Sequence, residues 1–123
     1  MTGVQTCALP IYNKITELSS LPNSLIELHC YNNKLTKLTN LPNSLTELYC
    51  YNNKLTKLTN LPNSLIRLEC CNNQLLELTN LPDKLTFLNC YNNKLLFTDI
   101  RSLRKLDNFI KFFNLNRHPS RYP

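Results

Sequence analysis

Cysteines are the residues of this chain whose spacing most directly suggests chemistry. Cys30, Cys50, Cys70 and Cys90 recur at a constant interval, and Cys71 places a further thiol beside them. A structural zinc site needs four ligands converging on one ion, with sulfurs at about 2.3 Å. One cysteine per strand of a parallel sheet instead forms a row spaced by about 4.8 Å. We therefore predict no metal and no cofactor, and interpret the row as small buried apolar side chains. A reactive thiol at Cys71 is the alternative that this pattern leaves open.

Nucleophilic and acid–base catalysis would need partners that the spacing does not supply. Cys71 and His29 fall on strands two apart, roughly 9–10 Å by strand spacing, which exceeds the hydrogen-bonding reach of a catalytic dyad. Glu27 and Glu47 align on neighbouring strands with Glu69 beside them, and we interpret these carboxylates as solvated surface. The sequence thus predicts a protein that is not an enzyme, with no catalytic residues and no small-molecule substrate.

These residues recur because the chain is built from a sequence repeat. The stretch from Leu41 to Asn60, LPNSLTELYCYNNKLTKLTN, is repeated with two changes from Leu21 to Asn40 and more loosely from Leu61 to Asn80. A fourth copy breaks off at Leu96. A fixed period of this length is typical of a solenoid, whose units bury apolar faces against their neighbours. We expect one short strand per repeat near residues 47–51, with no room for a helix on the outer side.

The apolar pattern of one repeat resembles a known family. It runs Leu45-x-x-Leu48-x-Cys50-x-x-Asn53-x-Leu55, which matches the core of leucine-rich repeats with cysteine in the third apolar position. The match covers residues 12–96. The Leu-Pro-x-x-Leu turn is also similar to the short repeats of bacterial secreted effectors, and LPNSL…CxNN arrays resemble giant-virus leucine-rich repeat proteins.

The resemblance implies a leucine-rich repeat solenoid: a short curved parallel β-sheet with period 20, backed by extended or single-turn segments. One departure concerns Thr39, Thr59 and Thr79, where effector arrays usually carry a second proline. The ligase domain of those effectors has no counterpart in this sequence, so the resemblance implies no enzymatic activity here.

Asparagine is expected to replace glycine in the turns of this solenoid. The single glycine, Gly3, lies outside the repeats. Asn-Asn pairs at 32–33, 52–53, 72–73 and 92–93 supply residues that tolerate positive φ. The second asparagine of each pair is predicted to form a ladder, because its amide both donates to and accepts from backbone groups of the adjoining coil.

Binding is predicted on the concave face, where side chains vary on a nearly constant scaffold. Leu28, Leu48, Leu68 and Leu88 do not vary and are assigned to packing. Aromatic residues and arginine are typical interface anchors. The predicted partner-binding residues are Glu27, His29, Tyr31, Glu47, Tyr49, Tyr51, Arg67, Glu69, Cys71, Phe87, Asn89 and Tyr91.

We expect a monomeric, non-catalytic protein–protein interaction module, forming a fragment of a longer protein. One alternative is the substrate-recognition arm of an effector enzyme that lacks its catalytic domain. The other is a basic binder of nucleic acid or a membrane surface, which we consider less favoured. An intracellular, cytoplasmic location is expected because no signal-peptide pattern or long apolar stretch is present, with a secreted effector as the alternative.

Charge is unevenly distributed along the chain. The net charge is +6; residues 12–96 carry eight Lys/Arg against six Asp/Glu, and residues 97–123 carry six against two. Lys34, Lys54 and Lys94 form one column, and Lys37 and Lys57 form another. We attribute these columns to solubility, with a phosphate-binding stripe as the alternative.

The two ends of the chain depart from the repeat. Residues 2–11, TGVQTCALPI, resemble a translated sequencing adapter, so residues 1–11 are expected to be an artefactual leader that makes no ordered contacts. Apolar residues at threes and fours predict a C-terminal capping helix over 99–114, with Thr98 as its N-cap. The predicted organisation is a leader at 1–11, repeats at 12–96, and the capping helix with a basic tail at 97–123.

The cap assignment makes a testable prediction for Leu106, which falls on the apolar face of the predicted helix. Substituting Leu106→Asp should lower the melting temperature of the whole array, because an unpaired buried charge costs several kcal/mol. Thermal unfolding of the wild type and the variant checks this. A variant that melts normally but no longer binds liposomes would contradict the cap and favour a membrane-surface helix.

Overall fold

Two parallel sheets make up the regular structure of the described residues. The computed structural model describes residues 14–18 and 20–95, together with the backbone of 6–8 and 97–98. The larger sheet consists of β1 Thr6–Ala8, β2 Glu27–His29, β3 Glu47–Tyr49, β4 Arg67–Glu69 and β6 Phe87–Asn89. These five strands lie in the order β1-β2-β3-β4-β6. In the smaller sheet, β5 Glu77–Leu78 pairs with β7 Phe97–Thr98 in parallel.

The predicted register of the repeats is confirmed among β2, β3, β4 and β6 of the larger sheet. Glu27 pairs with Glu47, which pairs in turn with Arg67, and Phe87 follows, so each step equals one repeat. Backbone bonding continues past the assigned strands, since the Cys30 N–H donates to the Tyr49 carbonyl at 2.9 Å. In the described ranges the outer side of each coil contains no helix, as expected.

The core is a stack of leucines with a cysteine row. Within each strand from β2 to β4, and in β6, the central leucine is buried and its neighbours are half-buried, which reflects the period-two alternation of a strand. Cys50 and Cys70 have no exposed surface. Desolvation raises the pKa of both thiols well above the ordinary value, and it raises the pKa of Cys90 to about 12. Cys50, Cys70 and Cys90 are therefore neutral thiols, and the whole row including Cys30 is buried, as the sequence predicted.

The predicted asparagine ladder joins one coil to the next. The Asn53 amide nitrogen donates to the carbonyls of Cys30 at 3.0 Å and Cys50 at 3.1 Å. Its oxygen accepts from the Leu35 N–H of the preceding coil at 3.0 Å. Asn73 repeats this pattern one coil further on. One buried side chain thus satisfies backbone groups in two coils at once.

Asparagine also makes the turns, in two series instead of one. The first residue of each Asn-Asn pair has positive φ, as predicted; Asn32 and Asn52 both have φ of 57°. The second series was not predicted. Asn40, Asn60 and Asn80 lie immediately before the Leu-Pro turn with φ of 57°, 56° and 53°. Each coil therefore bends at two left-handed residues, a geometry that asparagine tolerates better than most side chains.

The Leu-Pro-x-x-Leu segment forms the turn that leads into each strand. The Leu45 N–H donates to the Pro42 carbonyl at 3.1 Å, and the same bond recurs from Leu65 to Pro62. The Ser44 hydroxyl donates to the Leu25 carbonyl of the preceding coil at 2.6 Å. This second bond attaches the turn to its neighbour in the array.

The expectation that residues 1–11 make no ordered contacts is wrong for Thr6–Ala8. This segment forms β1 and pairs in parallel with β2, with Thr6 opposite Glu27. This pairing is shifted by one residue from the register of the repeats, which would place Cys7 opposite Glu27. The unpaired edge of a strand is a template for any extended segment that reaches it, so pairing there does not require the leucine spacing of the repeat.

The C-terminal expectations are only partly covered by the structure. The predicted helix at 99–114 lies outside the described residues. Phe97–Thr98 continues the register of the repeats by pairing with Glu77–Leu78. The repeat pattern therefore extends past Leu96 as far as Thr98.

The ladder makes a stability prediction that uses its own first rung as a matched control. Among the described residues, the buried Asn33 oxygen has no partner, and the Asn33 nitrogen bonds to carbonyls of its own coil, those of Cys30 and Tyr31. Asn53→Ala should cost about 2–4 kcal/mol, because it leaves buried backbone groups of two coils unpaired. Asn33→Ala should cost only ~1 kcal/mol. Urea unfolding of both variants measures the difference, and equal losses would contradict the inter-coil role.

Candidate protein-binding face

Three rows of side chains cover the outward side of the larger sheet, which we call the concave face. Each row runs across the strands, one residue per coil. Eleven of the twelve predicted residues are half-buried, and Cys71 is buried. The first row is Glu27, Glu47, Arg67 and Phe87; the second is His29, Tyr49, Glu69 and Asn89; the third is Tyr31, Tyr51, Cys71 and Tyr91.

Two carboxylates of the first row are held by neighbours on their own strands. The Glu27 Oε1 atom lies 3.1 Å from His29 Nε2. The Tyr49 hydroxyl donates to Glu47 Oε1. Both pairs join residues two apart, because alternate residues of a strand emerge on the same side. Each of these surface carboxylates has a fixed partner and is half-buried, so it is less solvated than the sequence interpretation supposed.

Aromatic rings stack across the coils in two pairs. His29 and Tyr49 lie with ring centres 4.4 Å apart at an interplanar angle of 12°. Tyr31 and Tyr51 lie 4.6 Å apart at 5°. The two stacks meet where His29 and Tyr31 contact edge to face, at 6.2 Å and 71°. Four rings connected by these contacts form a semi-rigid surface on the N-terminal half of the face.

Arg67 organises the C-terminal half. Its Nη2 and Nε atoms lie 2.6 and 2.8 Å from Glu69 Oε2. The guanidinium carbon lies 3.9 Å from the centre of the Phe87 ring and 5.7 Å from that of Tyr49. The cation is thus both ion-paired and stacked, which combines charge-assisted hydrogen bonding with a cation–π contact. Alternation places Arg67 and Glu69 on one side, so opposite charges two residues apart were a signal that the sequence interpretation did not use.

Cys71 lies in the predicted row but does not offer a reactive thiol. Only 6% of its surface is exposed. Burial raises the pKa of its thiol, and the hydrogen bond with Tyr91 opposes this only in part. The proximity of Cys71, together with burial, raises the pKa of Tyr91. A protonated, shielded thiol is a poor nucleophile and a poor metal ligand, so the alternative of a reactive Cys71 is not supported.

No group of three metal-binding side chains converges within the described ranges. The lysines of the outer columns are exposed. Lys37 Nζ lies 4.0 Å from Glu17 Oε2, with 60% and 65% of the two side chains exposed, so this ion pair contributes little to stability.

Comparison with known proteins identifies the architecture. No family model matches the chain, and no curated protein matches it. Solved structures do match. The leucine-rich repeat domain of a Shigella effector is 35% identical, with a TM-score of 0.65 over 67% of this chain. YopM from Yersinia enterocolitica is 34% identical, with a TM-score of 0.67 over 77% of this chain. The chain is a leucine-rich repeat protein.

The similarity covers only part of each solved structure. This chain spans 37% of the Shigella structure and 23% of the YopM structure. The predicted solenoid of short leucine-rich repeats similar to those of bacterial effectors is confirmed, and it supports a repeat-based interaction module. Among the described residues, no helix is both long enough and apolar enough to cross a membrane.

The environment of Tyr49 leads to a prediction at alkaline pH. Burial, then the hydrogen bond to the Glu47 carboxylate, raises the pKa of Tyr49 to about 12. An unfolded tyrosine ionises at a pKa of about 10. The contribution of Tyr49 to stability is therefore complete below pH about 10 and is lost as the pH rises towards about 12.

Tyrosinate absorbance, followed during alkaline titration, measures this ionisation directly. Tyr49→Phe should remove the highest-pH part of the titration. The variant should also lose less stability than the wild type between pH ~10 and ~12, measured by urea unfolding. Superimposable titrations of the two proteins would show that Tyr49 is not held as described.

Proposed function

We propose that this protein is a non-catalytic protein–protein interaction module that binds its partner through the concave face. The observation that carries the proposal is the set of mutually fixed side chains on an unvarying scaffold. Arg67 is held between Glu69 and Phe87, and the rings of Tyr31 and Tyr51 are stacked in parallel. The partner is proposed to be a protein because aromatic residues and arginine are the usual anchors of protein interfaces.

Fixed side chains favour binding because less conformational entropy remains to be lost. Immobilising a flexible interface side chain costs about 0.5–1.5 kcal/mol. Tyr49 is already restrained by its bond to Glu47 and its stack on His29. The backbone beneath is restrained as well, since the asparagine ladder connects the coils on which these residues lie.

The scale of the face indicates a modest interface. Four strands with described side chains offer a patch at the small end of specific interfaces, below roughly 1,200 Å² in total. We propose that the chain acts as a monomer, in an intracellular setting, and as a piece of a longer repeat protein. The likeness to effector domains favours one further candidate, the substrate-recognition arm of an effector enzyme.

The central test replaces the two tyrosines in the middle of the face. A Tyr49→Ala, Tyr51→Ala double variant should weaken binding of a true partner by at least about 2 kcal/mol, the scale of interface hot spots. The fold should be retained, because both side chains are half-buried on the outward side of the sheet. The melting temperature should fall only modestly, since Tyr49 loses its bond to Glu47 and its stack on His29. A partner obtained by affinity purification would be identified, purified and titrated calorimetrically against each variant.

The matched control removes charge from residues outside the concave face. Lys34, Lys54 and Lys94 are all exposed, and replacing them by Gln should leave protein binding unchanged. If the lysine variant loses binding and the tyrosine variant retains it, the concave face is not the binding site.

A further inference from the structure

Acidic and basic residues of the array are unevenly distributed: the concave face is net acidic and the rest of the array is net basic. Residues 12–96 carry a net charge of +2, from eight basic against six acidic residues. The concave face holds three of those acids and one of those bases, namely Glu27, Glu47, Glu69 and Arg67. With His29 neutral, this face therefore carries a charge of −2 and the rest of the array carries +4. An acidic face on a basic protein is electrostatically complementary to a cationic partner.

The acidic character is concentrated at one pair of residues. Glu27 and Glu47 lie directly opposite each other on neighbouring parallel strands, where backbones are about 4.8 Å apart. Like charges in this arrangement repel. The partners of these carboxylates, His29 Nε2 and the Tyr49 hydroxyl, orient them without supplying a permanent cation. A cation placed between them would relieve the repulsion.

Arg67, the arginine in the three rows of the concave face, makes its closest contacts with residues other than Glu27 and Glu47. Arg67 is opposite Glu47 in the sheet register and interacts with its carboxylate electrostatically, but the closest contacts of its guanidinium are Glu69 at 2.6 Å and the Phe87 ring centre at 3.9 Å. Glu27 is one strand further away. Of the carboxylates on this face, Glu27 and Glu47 are therefore the two whose negative charge is least compensated by a nearby cation.

Aromatic surface continues from this pair along the strand direction. The His29–Tyr49 stack is the next row, and the Tyr31–Tyr51 stack is the row after it. Lysine and arginine stems pack well on such rings, and their charged groups interact favourably with tyrosine. An extended segment lying along the strand would contact both the carboxylate pair and the two stacks.

We infer that the concave face takes an extended segment of a partner protein that bears lysine or arginine, with one cationic group bound between Glu27 and Glu47. This inference rests on the proposed function and names the chemistry of the partner. Nucleic acid is the opposite case, since it would be drawn to the exposed lysines outside this face and repelled by the face itself.

The experiment uses synthetic probes with the full-length chain. Fluorescently labelled octalysine, octaglutamate and a single-stranded oligothymidine would be titrated at low ionic strength, with binding followed by anisotropy. Octalysine should bind the wild type in a manner that depends on Glu27 and Glu47, whereas binding of the two anionic probes should not weaken when these carboxylates are removed. A Glu27→Gln, Glu47→Gln variant should bind octalysine about tenfold more weakly, since two favourable charge contacts are removed.

A charge-matched control lies outside the concave face. Lys34→Gln with Lys54→Gln changes the net charge by the same amount in the other direction, and it should leave octalysine affinity equal or slightly higher. Melting temperatures would establish that both variants fold; the variant with glutamines at 27 and 47 should be at least as stable as the wild type, because it removes a like-charge repulsion.

Two results would overturn the inference. One is octalysine binding that does not depend on Glu27 and Glu47, or that is not detected. The other is octalysine binding that weakens equally in the Lys34→Gln, Lys54→Gln variant, which would show no preference for the concave face. Neither result would bear on the effect of the Tyr49→Ala, Tyr51→Ala variant on a purified partner, so failure of the basic-segment inference is distinguishable from failure of the proposed function.

Discussion

The hydrogen bonding of one buried asparagine per coil is the interaction on which the rest of the array depends. Each coil must turn sharply after its strand, and the turn leaves backbone groups buried and without helix or sheet partners. Asn53 satisfies carbonyls of its own coil and of the preceding one, and it accepts an N–H from the preceding coil. Leaving such groups unpaired would cost more than the hydrogen bonds gain. The amide therefore specifies both the shape of a coil and its distance from the next.

This constraint divides each repeat into invariant and variable positions. Leucine, cysteine and asparagine fill the interior, where packing and hydrogen bonding tolerate little change. The outward positions of the strand are free of that requirement, so they vary from coil to coil while their backbones stay fixed.

The surface that results is built from neighbours that restrain one another. The rings of His29 and Tyr49 stack because equivalent positions of adjacent coils are about 4.8 Å apart, close to the ring separation observed. The same spacing brings Glu27 and Glu47 together, where repulsion remains. A regular array thus creates favourable and unfavourable contacts by one geometric rule, and the unfavourable ones mark where a partner can contribute charge.

The sequence by itself determined the period, the parallel register and the row to which each outward residue belongs, because regular repetition and strand alternation act locally and identically in every coil. It also determined the ladder, since a buried amide at a fixed position has few alternative uses. Only the tertiary structure decided the pairing of Arg67 with Glu69 and Phe87, the burial of Cys71 against Tyr91, and the left-handed geometry at Asn40. It also revealed that Thr6–Ala8 pairs with β2 outside the register of the repeats. These outcomes depend on side-chain rotamers, on which neighbour fills a given space and on which strand edge is left open. Those are properties of several coils together, and no single repeat contains them.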